Sequence, residues 1–303
     1  MKRTWRVTAI LGMATVVLAG LATAVGAATY ENATARGWYD SRGRHDPTNL
    51  NYCVGWGCGV VYDERNFFVF NMSGYSAQAA NFGVSFARVV LTNPSGSGAP
   101  VPYQLRNVST PISELTAAHL RSPVGRSIFG DLGSGKLYGS TTPGAMTDNP
   151  IQVDLNGEGL LALTKVLGKG KVAFGGSLKG GGATDLLFGN SLSVPSSGIE
   201  LQFQLGDKTS MTLKGPGRVA RGSRVTYRGK VTSASAACVN GVELQITVGT
   251  RHSTVTTKAD GSYAFKARIM RTTRLRVFYP GTVVVSPPDP CGGSETRKTV
   301  RLS

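Results

Sequence analysis

The sequence predicts an all-β fold: a jelly-roll-like β-sandwich interrupted by two short helices, followed by a smaller second β-sandwich. Three observations carry this prediction. Short segments rich in Phe, Val, Leu and Ile, bounded by Gly, Pro, Asn or Ser, recur between residues 65 and 205. Apolar and polar residues alternate with period two in the last third. Charge divides the chain at the same place. Residues 28–206 hold 13 basic and 12 acidic side chains, whereas 207–303 hold 17 basic and 5 acidic ones. Of the overall +16, a net +12 therefore sits in the C-terminal third, which puts a domain boundary at 206/207.

Residues 1–27 are expected to be a signal peptide. MKRTWR is basic, the run that follows is apolar, and Val25 and Ala27 stand where a signal peptidase needs small residues. That run is also just long enough to span a bilayer, so a retained membrane helix is the competing reading. Neither a twin arginine nor a cysteine at the cleavage point suggests another export or anchoring route. No second apolar run follows, so no membrane span is expected after cleavage. The mature protein, at +13 without Lys2, Arg3 and Arg6, is expected to be secreted and extracellular, or held non-covalently at a cell wall.

Within 28–206, eight segments read as strands: RNFFVFNM, NFGVSFARVVLT, PYQLRNVS, KLYGSTT, IQVDLN, KVAFGGSL, DLLFGNS and GIELQFQL. TPISELTAAHL reads as a helix with Thr110 as N-cap and Pro111 at its first position. NGEGLLALTKVLG reads as a second, capped by Asn156 and stopped by Gly168. Many short strands with few helices make a sandwich or jelly roll.

GDKTS, residues 206–210, reads as a polar hinge into the second domain, 207–303. There Val225, Tyr227 and Val231 oppose Arg224, Thr226, Arg228 and Lys230. Tyr263, Phe265, Ala267 and Ile269 oppose Lys266 and Arg268, and Leu275, Val277 and Tyr279 oppose Arg274, Arg276 and Phe278. Asp260-Gly261 is a hairpin signal. About seven half-buried strands in this length fit an immunoglobulin-like β-sandwich.

Two resemblances add to this reading. Thr256, Thr257, Asp260, Gly261, Tyr263 and Phe265 match a T-T-x-x-D-G-x-Y-x-F pattern, so residues 209–303 resemble bacterial extracellular immunoglobulin-like domains. That resemblance implies a spacer or adhesive module without an active site. Gly37, Trp38 and Tyr39, then Asn51 and Tyr52, then Arg65, Asn66, Phe67, Phe68 and Phe70 resemble the motif of an uncharacterised β-sandwich domain of exported bacterial proteins, over residues 35–205. It implies a fold and no activity.

An even number of cysteines in an exported chain favours disulfides, although four cysteines allow three pairings. Cys238–Cys291, within one domain, is the preferred long-range bridge, worth about 4 kcal/mol through the unfolded state. Cys53 and Cys58 have four residues between them, which suits a small staple presenting Trp56 better than a metal knuckle or a redox pair. Such a ring contributes only about 2 kcal/mol.

Candidate chemistry is sparse. GDLGSGKL puts Gly130, Gly135 and Lys136 at phosphate-loop spacing, but Leu137 replaces the magnesium-binding hydroxyl, so a Gly-rich turn entering a strand is expected. No G-x-S-x-G occurs, and of the three histidines, His45, His119 and His252, the last two are expected to be exposed polar residues, His252 in a turn. Trp38, Tyr39, Tyr52 and Trp56 are candidate ligand-binding side chains, since sugars stack on aromatic faces. The competing reading packs Trp38 and Tyr39 in the core. Asp40, Asp46, Asp63 and Glu64 beside them are the carboxylates a glycosidase would need. Asp40, Asp46, Asn49 and Asn51 offer hard oxygens for calcium, against the repulsion of Arg42, Arg44 and His45. Arg224, Arg228, Lys230, Lys266, Arg268, Arg274 and Arg276 form a candidate basic face for an anionic polymer, or simply a solvated face that guards sheet edges. Nucleic acid is not expected as the partner, because these strands carry few aromatics for base stacking. The sequence thus points to a non-enzymatic extracellular protein, without cofactor or metal, that binds a cell-wall glycan or anionic polymer. A polysaccharide hydrolase and a purely structural coat component are the alternatives.

Overall fold

The structure is a computed structural model that describes residues 28–49, 51–56, 62–91, 101–143, 150–180, 198–281 and 290–303, with backbone alone at 94–97 and 186–189. The expected signal peptide, 1–27, lies outside these residues. Among them no helix is long and apolar enough to cross a membrane.

The chain forms an all-β sandwich fold. Its N-terminal part contains β1 (Thr29–Asn32), β2 (Ala35–Asp40), β3 (Tyr52–Trp56), β4 (Asp63–Asn71), β5 (Phe82–Leu91), β6 (Pro94–Ser97), β7 (Tyr103–Asn107), β8 (Leu137–Thr141), β9 (Ile151–Asp154), β10 (Lys171–Leu178), β11 (Leu186–Gly189) and β12 (Ile199–Asp207). One antiparallel sheet has the order β1-β12-β5-β9. The other runs β6-β11-β3-β4-β10-β7-β8, with β2 paired to β4. Between them, Ile199, Leu201, Phe203 and Leu205 of β12 meet Phe68 and Phe70 of β4 and Phe174 of β10. The opposite face of β4 is buried too. Its Phe67 and Val69 pack with Tyr39, Leu115, Ile128 and Leu132 under a helical cover. Burial on both faces explains why FFVF is an unbroken apolar run rather than an alternating one.

The helical cover corrects one expectation. Three α-helices form among the described residues: α1 (Ile112–Leu115), α2 (Pro123–Ser134) and α3 (Gly157–Val166). The third matches its expected segment, and the first is a single turn within the expected TPISELTAAHL helix. Asn156 accepts hydrogen bonds from the amides of Glu158 and Gly159, and Gly168 follows at φ +70°. Thr110, in contrast, caps nothing: its hydroxyl and amide bind Asp131, 2.8 Å away in each case, and Pro111 occupies the cap of the single-turn α1. The second helix was not expected. Ser122 caps it through Gly125 and Pro123 opens it, so GDLGSGKL is the end of a helix, capped by Gly135, before β8. A phosphate loop needs a strand before and a helix after; here the order is reversed.

The C-terminal part contains β13 (Ser210–Lys214), β14 (Arg218–Val219), β15 (Arg224–Thr232), β16 (Glu243–Val248), β17 (Arg251–Thr256), β18 (Ser262–Arg268), β19 (Thr273–Tyr279) and β20 (Ser294–Leu302). A sheet β13-β15-β18 faces a sheet β14-β20-β19-β16-β17, as in immunoglobulin-like sandwiches, with Tyr227, Val231 and Tyr263 packed on Leu275, Val277 and Val300. The Asp260-Gly261 turn is formed, with Gly261 at φ +80°. It does not close a hairpin, because β17 pairs with β16 and β18 with β15. It carries the chain from one sheet to the other.

The expected bridge joins Cys238 to Cys291 and closes 53 residues. Cys53 is also disulfide-bonded; its expected partner Cys58 lies outside the described residues. The hinge at 206–210 is clamped instead of free. Asp207 forms backbone bonds with Pro290 and Gly292, and the Thr209 hydroxyl lies 2.7 Å from both Gly292 O and Ser294 Oγ.

Candidate functional site

The aromatic cluster is mostly core. Trp38, Tyr39 and Tyr52 are buried, which withdraws three of the four expected ligand-binding side chains from any sugar face. The Tyr39 ring stacks on His45 at 4.7 Å, and its hydroxyl donates to Leu115 O at 2.9 Å. Tyr52 meets Phe68 edge-on at 5.7 Å, and burial pushes its phenol up to about 12. Trp56, at the end of β3, is 37% exposed. Gly55 before it sits at φ +99°, a conformation that needs glycine.

The carboxylates around it serve the loops or are sealed. Asp46 accepts from the amide and hydroxyl of Thr48, and Asn49 accepts from the amide of Asn51. Asp40 Oδ1 accepts from the amides of Arg42 and Arg44 at 2.9 Å. These are local turn braces, and no group of three potential metal ligands occurs among the described residues. Asp40 pairs across the strands with Glu64. Both are buried, and among the described residues Asp40 Oδ2 and both Glu64 carboxylate oxygens lack a hydrogen-bond partner. Burial, then the neighbouring Asp40 and Asp63, push Glu64 up to about 8. Burial raises Asp63 as well.

The histidines form no catalytic set. His45 is buried and bridged to His119 backbone to backbone, with Nδ1 2.9 Å from Trp38 O. His119 is half-buried and 3.3 Å from Ser122 Oγ. His252 is exposed, on β17 and not in a turn.

The basic residues do converge, though not all seven. On the outer face of β13-β15-β18, Arg224 stands opposite Arg268, Thr226 opposite Lys266, and Arg228 between Lys214 and Ala264, with Lys230 beyond. All six cations are exposed, and none is in an ion pair among the described residues. Asp260, at the turn, feels the charge of Lys230. Outward residues along one strand are about 6.8 Å apart and neighbouring strands about 4.8 Å, so the face is a lattice of positive charge. Lys214 escaped sequence reading, although the alternation Ser210, Thr212, Lys214 signals its outward position.

Arg274 and Arg276 lie on the other sheet. Arg274 is exposed there. Arg276 is instead a tie between the sandwiches: it holds Glu158 of α3 with two nitrogens and Glu295 at 2.6 Å, over the ring of Phe278. Phe278 points outward on its strand yet is buried, because it lies against Gly157 of the N-terminal sandwich.

No protein-family model matches the chain, and neither does any curated protein. Among solved structures, a β-glucosidase from Listeria innocua in complex with gluconolactone aligns over 31% of this chain and 16% of its own, at 12% identity and a TM-score of 0.16. A likeness that slight carries no argument about fold or activity.

Proposed function

We propose that this is an exported, non-enzymatic protein that binds an anionic extracellular polymer, such as an acidic cell-wall polymer, through the outer face of β13-β15-β18. One observation carries the reading: six exposed cations share that face without an acid among them. A solvated face that only guards its edges needs some charge. It does not need Arg224 directly opposite Arg268, an arrangement that costs stability through like-charge repulsion. A polyanion laid across the face relieves that repulsion. A neutral glycan has less to hold it, since Trp38, Tyr39 and Tyr52 are in the core. The hydrolase alternative has less support still, because Glu64 is sealed from solvent.

The test is retention of the whole protein on isolated cell walls and on immobilised dextran sulfate, with neutral dextran as control. Retention at low salt, release by about 0.5 M NaCl, and loss in the combined variant R224Q/R228Q/K230Q/K266Q are the expected results. Absence of low-salt retention, or unchanged retention of the variant, refutes the reading.

A further inference from the structure

Where α3 approaches the second sandwich, a cleft of about 490 Å³ opens. Its floor is apolar, made by Leu161, Ala162 and Val166 of α3 with Val172 and Ala173 of β10. Its rim is cationic: Lys136, Lys165, Lys171 and Arg297, against the single acid Glu158.

The ion pairs at this rim do not balance. Lys136 lies 2.9 Å from Glu158, which also takes Arg276. Glu295 takes Arg276 at 2.6 Å, Lys165 at 2.7 Å and Arg297 at 2.9 Å. Four cations thus share two carboxylates. Lys171 is exposed and in no ion pair among the described residues, which adds one more positive charge. The surplus lies beside the apolar floor. Tyr138, the aromatic in the lining, is buried and donates its hydroxyl to Asn107, so no ring is open for stacking a base or a sugar.

From this geometry we infer a binding site for a small anionic amphiphile. Its apolar body lies on Leu161, Ala162 and Val172, and its carboxylate or phosphate meets Lys171, Lys136 and Arg297. The volume falls within the roughly 300–1,000 Å³ of small-molecule sites. A neutral ligand leaves the surplus charge unmet, and a simple inorganic anion leaves the floor wet. The cleft is separate from the basic sheet face, so the inference stands independently of the proposed function.

Calorimetric titration of the whole protein with octyl phosphate, octanoate and octanol tests it. Both anions are expected to bind at least about tenfold more tightly than octanol; the tighter of the two identifies the head group. K171E is expected to weaken anion binding about tenfold or more while leaving octanol unchanged. A162F, which fills the floor, is expected to abolish binding, and circular dichroism checks its folding. The face variant R224Q/R228Q/K230Q/K266Q is expected to bind octyl phosphate like the wild type. Equal affinity for octanol, no binding of either anion, or insensitivity to K171E overturns the inference. So does loss of binding in the face variant.

Discussion

At the scale of single residues, Glu64 is the side chain most at odds with its surroundings. A carboxyl with both oxygens unpartnered inside a sandwich is stable only when protonated, which is why burial, with Asp40 and Asp63 nearby, moves it up to about 8. The sign of the resulting pH dependence follows from proton counting. Below about pH 4.5, both folded and unfolded states hold the proton. Between there and pH 8 the unfolded chain releases a proton that the folded chain keeps, so stability falls as pH rises, by on the order of 5 kcal/mol in all. His45 pulls the other way. Burial lowers its pKa, so its contribution is lost as pH falls below the ordinary histidine value of 6.5. The informative quantity is therefore the difference between wild type and Glu64→Gln. Urea denaturation from pH 5 to 9 should show the variant gaining on the wild type up to about pH 8 and the difference levelling off above it. A constant difference refutes a buried, protonated Glu64. None of this was legible in the sequence, where Asp40, Asp46, Asp63 and Glu64 stood only as the carboxylates that the alternative hydrolase reading would need. Sequence spacing does not show that Asp40 and Glu64 face each other across two strands with water excluded.

At the scale of elements, legibility tracked the pattern of burial. The eight N-terminal segments read as strands became β4, β5 and β7 to β12, because each carries its own apolar run between breakers. The strand β2, ARGWYD, escaped because α2 covers one side and the sheet core the other, so no alternation marks it. The α2 helix escaped because Gly125, Gly130 and Gly133 lower its intrinsic propensity. Two of those glycines are there for contact. A side chain at Gly125 would run into the carbonyl of Gly43, and one at Gly133 into the guanidinium of Arg65, which itself donates to Phe129 O at 2.8 Å. A side chain at Gly130 would meet nothing within 4 Å. The two kinds of glycine should therefore respond oppositely to alanine. Gly130→Ala should stabilise by about 0.5–1 kcal/mol through helix propensity. Gly125→Ala gains the same propensity but forces α2 off β2 and its loop, and should destabilise by about 1–3 kcal/mol. Thermal denaturation of both variants decides this; the same sign for both would mean that α2 does not pack as described. The Asp260-Gly261 turn makes the complementary point. Its local geometry was legible, but the pairing of its flanking strands depends on contacts distant in sequence.

At the scale of the whole molecule, the charge asymmetry announced two sandwiches but not which cations are free. Arg276 sits in the same alternating pattern as Arg274, yet its strand face is covered by α3, and it becomes the centre of a network that ties Glu158 to Glu295. Burial works to raise both carboxyls. Hydrogen bonds from Arg276 and Lys136 outweigh it at Glu158, and those from Lys165, Arg276 and Arg297 bring Glu295 down to about 2. Carboxyls depressed in this way contribute fully above their ordinary value near 4.5, and the contribution is lost as pH falls towards 2. The tie should accordingly hold from neutral pH to about 5 and loosen between about 4 and 2. Salt should act differently on the two basic regions. The network is largely shielded, with Arg276 and Glu295 side chains 19% and 10% exposed, so about 0.5 M NaCl should leave it intact while stripping a polyanion from the open sheet face. Arg276→Ala removes the centre of the tie and leaves two carboxylates facing each other across the junction. The expected result is faster proteolysis between Gly206 and Ser210 and a larger radius of gyration by X-ray scattering at pH 7, with retention on dextran sulfate unchanged. If Arg276→Ala instead abolishes retention and leaves the junction protected, Arg276 belongs to the binding face after all, and the separation of tie from face is wrong.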